Sequence, residues 1–272
     1  MNAKEDRSEM KLAFIGGGAM GGAMINCLLT NKVAGAQDIV VSDSIQARRE
    51  SLSKEYHIAT FAENAQATAG ADLIVLAVKP QNLAQVMQDI KRPAPNQLVV
   101  SIVAGASLSG LRQGLDHSLI IRAMPNMPAQ IGEGMVVWTA TAETGEEHRK
   151  LAQSVLGSLG RELYVSDEKY LSMATGLSGS GPAYVFLFVE ALIDAGVHIG
   201  MPRDMAQKLV MQTVLGSALT IEKTGKHPAE LRNLVTSPAG TTTEGLFQME
   251  KGSFRSVIIE AVAAAYRRAE HF

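Results

Sequence analysis

Leu12-Ala13-Phe14-Ile15-Gly16-Gly17-Gly18-Ala19-Met20-Gly21 is the stretch whose reading decides the fold. Four apolar residues of strand character run into Gly16, Gly18 and Gly21 in a G-x-G-x-x-G spacing, and a helical pattern begins at once. The spacing has a mechanical reading. Gly16 permits a tight turn, Gly18 lets backbone approach a pyrophosphate, and Gly21 lets the following helix lie close to the strand. The helix N-terminus, with Ala19 and Met20 in its first turn, then offers unpaired N–H groups to an anion.

Outward from this turn, short β-rich runs alternate with helical stretches. The strand runs are Leu12–Ile15, Ile39–Ser42, 73–78, 98–103 and 119–122, separated by helix patterns at 19–29, Gln46–Tyr56, 81–90 and 107–114. Strands at 135–139 and 162–165, around a helix at 146–159, extend the sheet. This is the signature of an α/β doubly wound, Rossmann-type sheet. After Ser166 the β-branched runs give way to Ala, Leu, Met and Gly with helical periodicity. Helices are expected over 183–199, with Pro182 in its first turn, over 203–224, and over 242–251 and 254–271. The division expected is a disordered lead-in at 1–10, a dinucleotide-binding domain at 11–165 and an all-helical domain at 166–272.

Several helices of the second half are apolar around most of their circumference, and Val257, Ile258, Ala261, Val262 and Ala265 form one stripe. A domain of that size cannot bury them all, so a homodimer through the helical domain, open to assembly into a larger oligomer, is expected. Met201, Met205 and Met211 read as core filler.

The 272 residues are 46% hydrophobic with a formal net charge of −2, which gives no field for nucleic acid or an anionic membrane. Cys27 is the single cysteine, and with six scattered histidines it forms no metal-ligand cluster, so no metal is expected. Cys27 reads as a small apolar residue, and His198 and His227 as surface or packing residues. The polar first ten residues resemble neither a secretory signal nor an anchor. No apolar run reaches membrane-span length, the best, 183–192, carrying Glu190 with Asp194 soon after. A soluble, cytoplasmic protein is expected.

Asp43, after the second strand and before Ser44, can accept hydrogen bonds from the adenosine ribose hydroxyls, which favours NADH. Arg48 and Arg49 follow on the next helix, from where either can reach a 2′-phosphate. NADH and NADPH both stay open.

Four further motifs occur in order: Ala77-Val78-Lys79-Pro80, Arg122-Ala123-Met124-Pro125-Asn126, Gly179-Ser180-Gly181-Pro182-Ala183-Tyr184 and Ser237-Pro238-Ala239-Gly240-Thr241-Thr242. Together with the glycine turn they make the chain resemble the pyrroline-5-carboxylate reductases, from Leu12 nearly to the end. The last motif resembles the family's signature near the active site. Two positions depart from the usual pattern, Ala239 for glycine and Met127 for threonine, and both bear on substrate fit. The resemblance implies reduction of 1-pyrroline-5-carboxylate to L-proline by NAD(P)H. It implies that Asn64, Ala77, Val78, Lys79, Pro80 and Ala104 line the cofactor with the glycine turn. It also implies that Glu168, Ser237, Gly240, Thr241 and Thr242 meet a small imino-acid substrate.

The residues suit that chemistry. Thr241-Thr242-Thr243-Glu244 has capping-box form, which makes Thr241 the expected N-cap of a helix whose free N–H groups, with the Ser237 hydroxyl, suit a carboxylate. A cyclic imine can arrive protonated, so hydroxyls and amides suffice, with Thr242 at the imine nitrogen as the expected catalytic residue. Three other readings share parts of this pattern. A β-hydroxyacid dehydrogenase would carry a lysine in the long helix of its second domain, and residues 184–195 contain none. A non-catalytic cofactor-binding regulator would have no need of Ser237, Thr241 and Thr242, all present. A reductase of a related cyclic imine would share every motif.

Overall fold

The structure is a computed structural model describing residues 10–90 and 92–270; of the lead-in expected at 1–10, all but Met10 lies outside the described residues. The chain divides into two compact units, the first comprising residues 1–179 with 265–272 and the second residues 180–264.

In the first unit β1 (Leu12–Ile15) leads through the glycine turn into α1 (Ala19–Thr30). Then come β2 (Ile39–Ser42), α2 (Gln46–Tyr56), β3 (Ala59–Phe61), α3 (Asn64–Thr68), β4 (Leu73–Leu76) and α4 (Leu83–Ile90). β5 (Leu98–Ser101), α5 (Leu108–Leu115), β6 (Ile120–Met124), β7 (Gly134–Ala140), α6 (Glu146–Gly157) and β8 (Gly160–Tyr164) complete the sheet, followed by α7 (Lys169–Ala174) and a π-helical turn, Thr175–Gly179. The strand order is β3-β2-β1-β4-β5-β6-β7-β8, parallel throughout except for the antiparallel β6–β7 pair. The order reverses between β1 and β4, the position at which open α/β sheets bind ligands beyond their strand ends.

Both faces of the sheet are covered. Leu12 and Phe14 pack on one side with Met24, Ile25 and Leu28 of α1, Leu52 of α2 and Val155 and Leu156 of α6. Ala13 and Ile15 pack on the other with Val86 and Ile90 of α4 and Leu111 and Leu115 of α5. Alternation along β1 therefore feeds two cores, which is why the strand reads as a continuous apolar run.

Two strands are shorter than their apolar runs. The stretches 73–78 and 98–103 are apolar to their ends, yet β4 stops at Leu76 and β5 at Ser101, where the chain leaves the sheet at its carboxyl edge. β3 and α3 have no counterpart in the sequence reading, because Ala59-Thr60-Phe61 is a three-residue edge strand too short to show a period.

The compact units divide after Gly179, whereas the change of character in the sequence falls after Ser166. Glu168 and Leu171 hold α7 to the sheet: Leu171 is fully buried, and Glu168 bonds Arg122 of β6 and the Leu108 N–H of α5.

The second unit contains α8 (Gly181–His198), α9 (Arg203–Thr224), α10 (Pro228–Leu234), α11 (Thr241–Lys251) and most of α12 (Phe254–Ala269). Pro182 stands in the first turn of α8, and Asp194 pairs with Arg203 across the α8–α9 connection at 2.6 Å. His227 has a definite task, its Nδ1 accepting the Ala229 N–H as N-cap of α10. None of the 18 residues of α8 is buried, Leu187 being 66% exposed. Met205 and Met211, expected as core filler, are half exposed, as are Val257 and Ile258. The apolar periodicity here marks an exposed face, and methionines on such a face lack a core within their own chain.

The apolar run read at 183–192 is part of a longer helical stretch. The helical run Lys169–His198 is long and apolar enough, by length and composition alone, to cross a membrane. The sequence conceals this because α7, the π-helical turn and α8 run on where Gly181-Pro182 suggests a break.

Candidate functional site

The residues assigned to a cofactor converge on the carboxyl edge of the sheet. Gly16 has φ +100°, and a Cβ there would fall 2.7 Å from the Ala77 carbonyl oxygen, so the turns after β1 and β4 touch through it. Gly18 is the opposite case. A Cβ there would meet nothing within 4 Å, and Gly18 is also the N-cap of α1 with no side-chain capping bond. The open space and the uncapped Ala19, Met20 and Gly21 N–H groups fit a pyrophosphate. At Gly21 a Cβ would collide with the Gly16 carbonyl oxygen, which explains the third glycine.

Asp43 and Ser44 follow β2. Asp43 Oδ2 accepts the Gly17 N–H at 2.9 Å and Oδ1 the Ile45 N–H at 2.9 Å, so the carboxylate braces the glycine turn. Arg48 Nε donates to the Gly17 carbonyl and Arg49 Nη1 to the Asp43 carbonyl at 2.7 Å. Asn64, at the start of α3, has its Oδ1 bonded by the Ser42 hydroxyl at 2.7 Å and its Nδ2 bonded to Asp89 at 3.0 Å. Ala77 and Val78 are half-buried after β4, Lys79 and Pro80 are exposed, and Ala104 is half-buried after β5. Glycine turn, Asp43, Ser44, Asn64, Ala77 to Pro80 and Ala104 thus share one edge of one sheet.

Glu168 lies in the same unit. Its Oε1 accepts both Arg122 Nη1 and the Leu108 N–H, each at 2.8 Å, while Oε2 makes no hydrogen bond among the described residues. Beside it, the Lys169 backbone N–H and ammonium hold the Asp167 carboxyl below its ordinary range. Cys27 is buried with its thiol on the Ala129 carbonyl at 3.2 Å, and burial pushes that thiol up, which fits an inert packing residue.

The signature loop belongs to the second unit and starts differently from expectation. Thr241 is the first residue of α11 and not its cap; Gly240 is the N-cap, and no side chain caps the helix. The cause is a tight turn. Gly240 N–H donates to the Ser237 carbonyl at 3.0 Å across Pro238 and Ala239, and Ala239 takes φ +56°. Proline followed by a positive φ is the type II pattern, which favours glycine where this chain has alanine. The turn pushes the extended cap position on to Gly240, and Thr243 Oγ1 bonds back to the Ser237 carbonyl at 2.6 Å. The Ser237, Thr241 and Thr242 hydroxyls make no hydrogen bond among the described residues, and the first-turn N–H groups stay uncapped. That arrangement suits a carboxylate better than the capping box would have done.

Arg122 and Asn126 carry roles that their motif does not announce. Asn126 accepts the Met135 N–H at 2.9 Å and donates to the Ser178 carbonyl at 3.1 Å, fixing the loop after β6 to the π-helical turn. The available signal at Arg122 is a charge inside an apolar strand run, which demands a partner. No group of three or more His, Cys, Asp or Glu that could hold a metal occurs among the described residues.

A parallel sheet reversing at a glycine turn, with an open pyrophosphate cradle, defines a dinucleotide-dependent oxidoreductase carrying a helical second part. Similarity to known proteins narrows that class. Residues 11–105 match the family profile described as NADP oxidoreductase coenzyme F420-dependent, and residues 168–272 match pyrroline-5-carboxylate reductase dimerisation. A pyrroline-5-carboxylate reductase of Synechocystis is 43% identical over 261 residues, covering 96% of this chain and 97% of the relative. The structure of a pyrroline-5-carboxylate reductase from Coxiella burnetii superposes with a TM-score of 0.90 at 32% identity, covering 97% and 98% of the two chains. That of Plasmodium falciparum pyrroline carboxylate reductase with NADP bound gives 0.88 at 31% identity, covering 96% and 97%. The chain belongs to the pyrroline-5-carboxylate reductase family.

Proposed function

We propose that this chain reduces 1-pyrroline-5-carboxylate to L-proline with NAD(P)H, the last step of proline biosynthesis. The observation that carries the reading is the uncapped start of α11, where the Ser237, Thr241 and Thr242 hydroxyls have no hydrogen bond among the described residues, in a chain matching a named reductase over 96% of its length.

When bound, NAD(P)H supplies the hydride that adds to the imine carbon. Gly16, Gly18, Ala19, Met20 and Gly21 would hold its pyrophosphate, Asp43 and Ser44 would border its ribose, and Asn64, Ala77, Val78, Lys79, Pro80 and Ala104 would line the crevice. In the second unit the Thr241 and Thr242 N–H groups and the Ser237 hydroxyl bind the substrate carboxylate, with Gly240 leaving room. Thr242 Oγ1 hydrogen-bonds the ring nitrogen, which carries the second hydrogen of the reduction. Glu168 of the first unit is kept among the substrate-binding residues on the family resemblance, its Oε2 having no hydrogen bond among the described residues. No strong general acid is required, because the five-membered imine enters already protonated and positioning alone is worth roughly 7–11 kcal/mol in favourable cases.

The active form is a homodimer through the helical part, assembling further into a larger oligomer in the cytoplasm, with neither nucleic acid nor membrane as partner. The exposed faces of α8, α9 and α12 support this, since apolar helices with so little burial need a second chain. The same faces account for the apolarity of the run Lys169–His198 without a bilayer.

The test is oxidation of NADPH and NADH with 1-pyrroline-5-carboxylate, beside the six-membered imine and a 2-keto acid. Turnover of the five-membered imine with formation of proline is expected. No turnover with either cofactor would sink the reading, and faster reduction of the six-membered ring would move the substrate to a related imine.

A further inference from the structure

At the amino edge of the sheet, opposite the dinucleotide crevice, the loop from α4 to β5 and the turn from α5 to β6 border an open depression of about 540 Å³. That size suits a small molecule. One wall is apolar and held in shape. Pro93, Ala94 and Pro95 line it, and the buried Gln97 fixes it from behind, its side-chain amide donating to the Thr68 and Ala71 carbonyls at 2.8 Å and accepting the Ala94 N–H at 2.7 Å.

The other wall holds His117, which is only 8% exposed. Its Nε2 lies 2.7 Å from the Gln97 carbonyl, and because a carbonyl only accepts, Nε2 carries the hydrogen. In the neutral ring Nδ1 is then an acceptor. Nδ1 has no hydrogen bond among the described residues, and no unpartnered side-chain nitrogen or oxygen among them is sealed from solvent, so Nδ1 opens onto the depression that the ring lines.

Two charge pairs stand around the same depression. Arg92 Nε meets Asp116 Oδ2 at 2.7 Å, and Arg112 Nη2 meets Glu143 Oε1 at 2.6 Å. Both pairs are exposed, so they hold their members weakly, and each guanidinium keeps its other nitrogens unbonded among the described residues. The four charges cancel, which disfavours a bare anion. α5 ends at Asp116, where its last carbonyls add partial negative charge. Guanidinium forks, a carboxylate at a helix C-terminus and a neutral acceptor, beside an apolar wall, complement a molecule with a carboxylate, an ammonium and a small apolar body.

We propose that this depression binds a zwitterionic amino acid with a small apolar side chain. Arg112 takes its carboxylate, His117 Nδ1 and Asp116 take its ammonium, and the side chain lies on Pro93 and Pro95. The site shares no residue with the dinucleotide cradle or with the loop from Ser237 to Thr242, so the inference is independent of the proposed reaction.

Calorimetric titration with L-valine tests it, beside L-valinamide, which lacks the carboxylate, and N-acetyl-L-valine, which lacks the ammonium. L-Valine should fill one site per chain, and each analogue should bind about tenfold or more weakly, the loss expected for one charge-assisted contact. Arg112→Gln and His117→Gln should each weaken L-valine by a similar factor. Glutamine at 117 keeps an N–H for the Gln97 carbonyl and removes the Nδ1 acceptor, and Arg112 is exposed, so its replacement spares the fold. Thr242→Ala should leave L-valine binding unchanged. Absence of binding at millimolar L-valine, equal binding of the analogues, or an affinity untouched in Arg112→Gln overturns the inference while leaving the proposed reaction standing. Loss of binding in Thr242→Ala puts the amino acid in the imine site and overturns it too, as does tighter binding of inorganic phosphate that Arg112→Gln removes, which would make the depression an anion site.

Discussion

Arg122 Nη1 and Glu168 Oε1 meet at 2.8 Å, joining the central sheet to the start of the helical segment across 46 positions of sequence. The Arg122 side chain is 10% exposed and that of Glu168 31%, so the pair is sheltered without being dry. Arg122→Met leaves the carboxylate half-buried with only the Leu108 N–H, and is expected to destabilise by about 2–3 kcal/mol, below the cost of breaking a fully buried pair. Glu168→Gln keeps an acceptor for both donors and should cost about 1 kcal/mol. Denaturant midpoints compare the two; a smaller loss for the arginine variant would show the pair to be incidental.

Gly16 and Gly18 should separate fold from function. Gly16→Ala puts a methyl against the Ala77 carbonyl at a strongly positive φ and should cost roughly 2–4 kcal/mol. Gly18→Ala has φ −62° and open space, so stability should hold while dinucleotide affinity falls by about tenfold or more, the methyl occupying the pyrophosphate's place. Melting curves with and without NADPH decide this, and an unchanged affinity in Gly18→Ala would remove the cradle from that face of the turn.

Thr242→Ala should lower kcat/KM for the imine by about tenfold to a hundredfold, the range of a hydrogen bond to a charged group, with dinucleotide binding nearly unchanged. Thr243→Ala is the control, because that hydroxyl is already spent on the Ser237 carbonyl. Full activity in Thr242→Ala would put the ring nitrogen elsewhere.

Ala239 holds φ +56° in a turn that favours glycine. Ala239→Gly should stabilise by roughly 0.5–1 kcal/mol, the relief of the left-handed conformation outweighing the extra freedom of the unfolded chain. A matching rise in KM would follow from a loop that no longer holds one shape. Thermal unfolding and steady-state kinetics on the same variant measure both effects, and a net destabilisation would show that the methyl makes contacts outweighing its strain.

Leu187→Asp places a charge at a leucine of α8 that is 66% exposed. In an isolated chain such a surface change is worth only about 0.5 kcal/mol, whereas within a packed interface it is prohibitive. Light scattering should report a mass falling towards that of one chain; an oligomer unaltered at micromolar concentration would exclude this face from the interface.

Much of the architecture is legible because it is written locally. β1, β2 and α2 end where the residue patterns end, since the Gly16 turn, the apolar alternation and the flanking polar residues act over a few positions. β3 escapes notice because three residues carry no period, and the cap of α11 moves from Thr241 to Gly240 because a turn three residues earlier outranks the capping-box pattern.

The amino-acid sequence by itself determined the doubly wound sheet, the position of the dinucleotide cradle, the helical second half and the family resemblance carried by Ser237 to Thr242. Only the tertiary structure decided which groups are already engaged. Asp43 faces the Gly17 N–H, Arg122 takes Glu168, Asn126 ties two loops, and Arg49 keeps donors to spare. The physical reason is range. Propensity and periodicity act between neighbours along the chain, whereas a hydrogen bond commits a side chain to whatever the fold brings within about 3 Å of it.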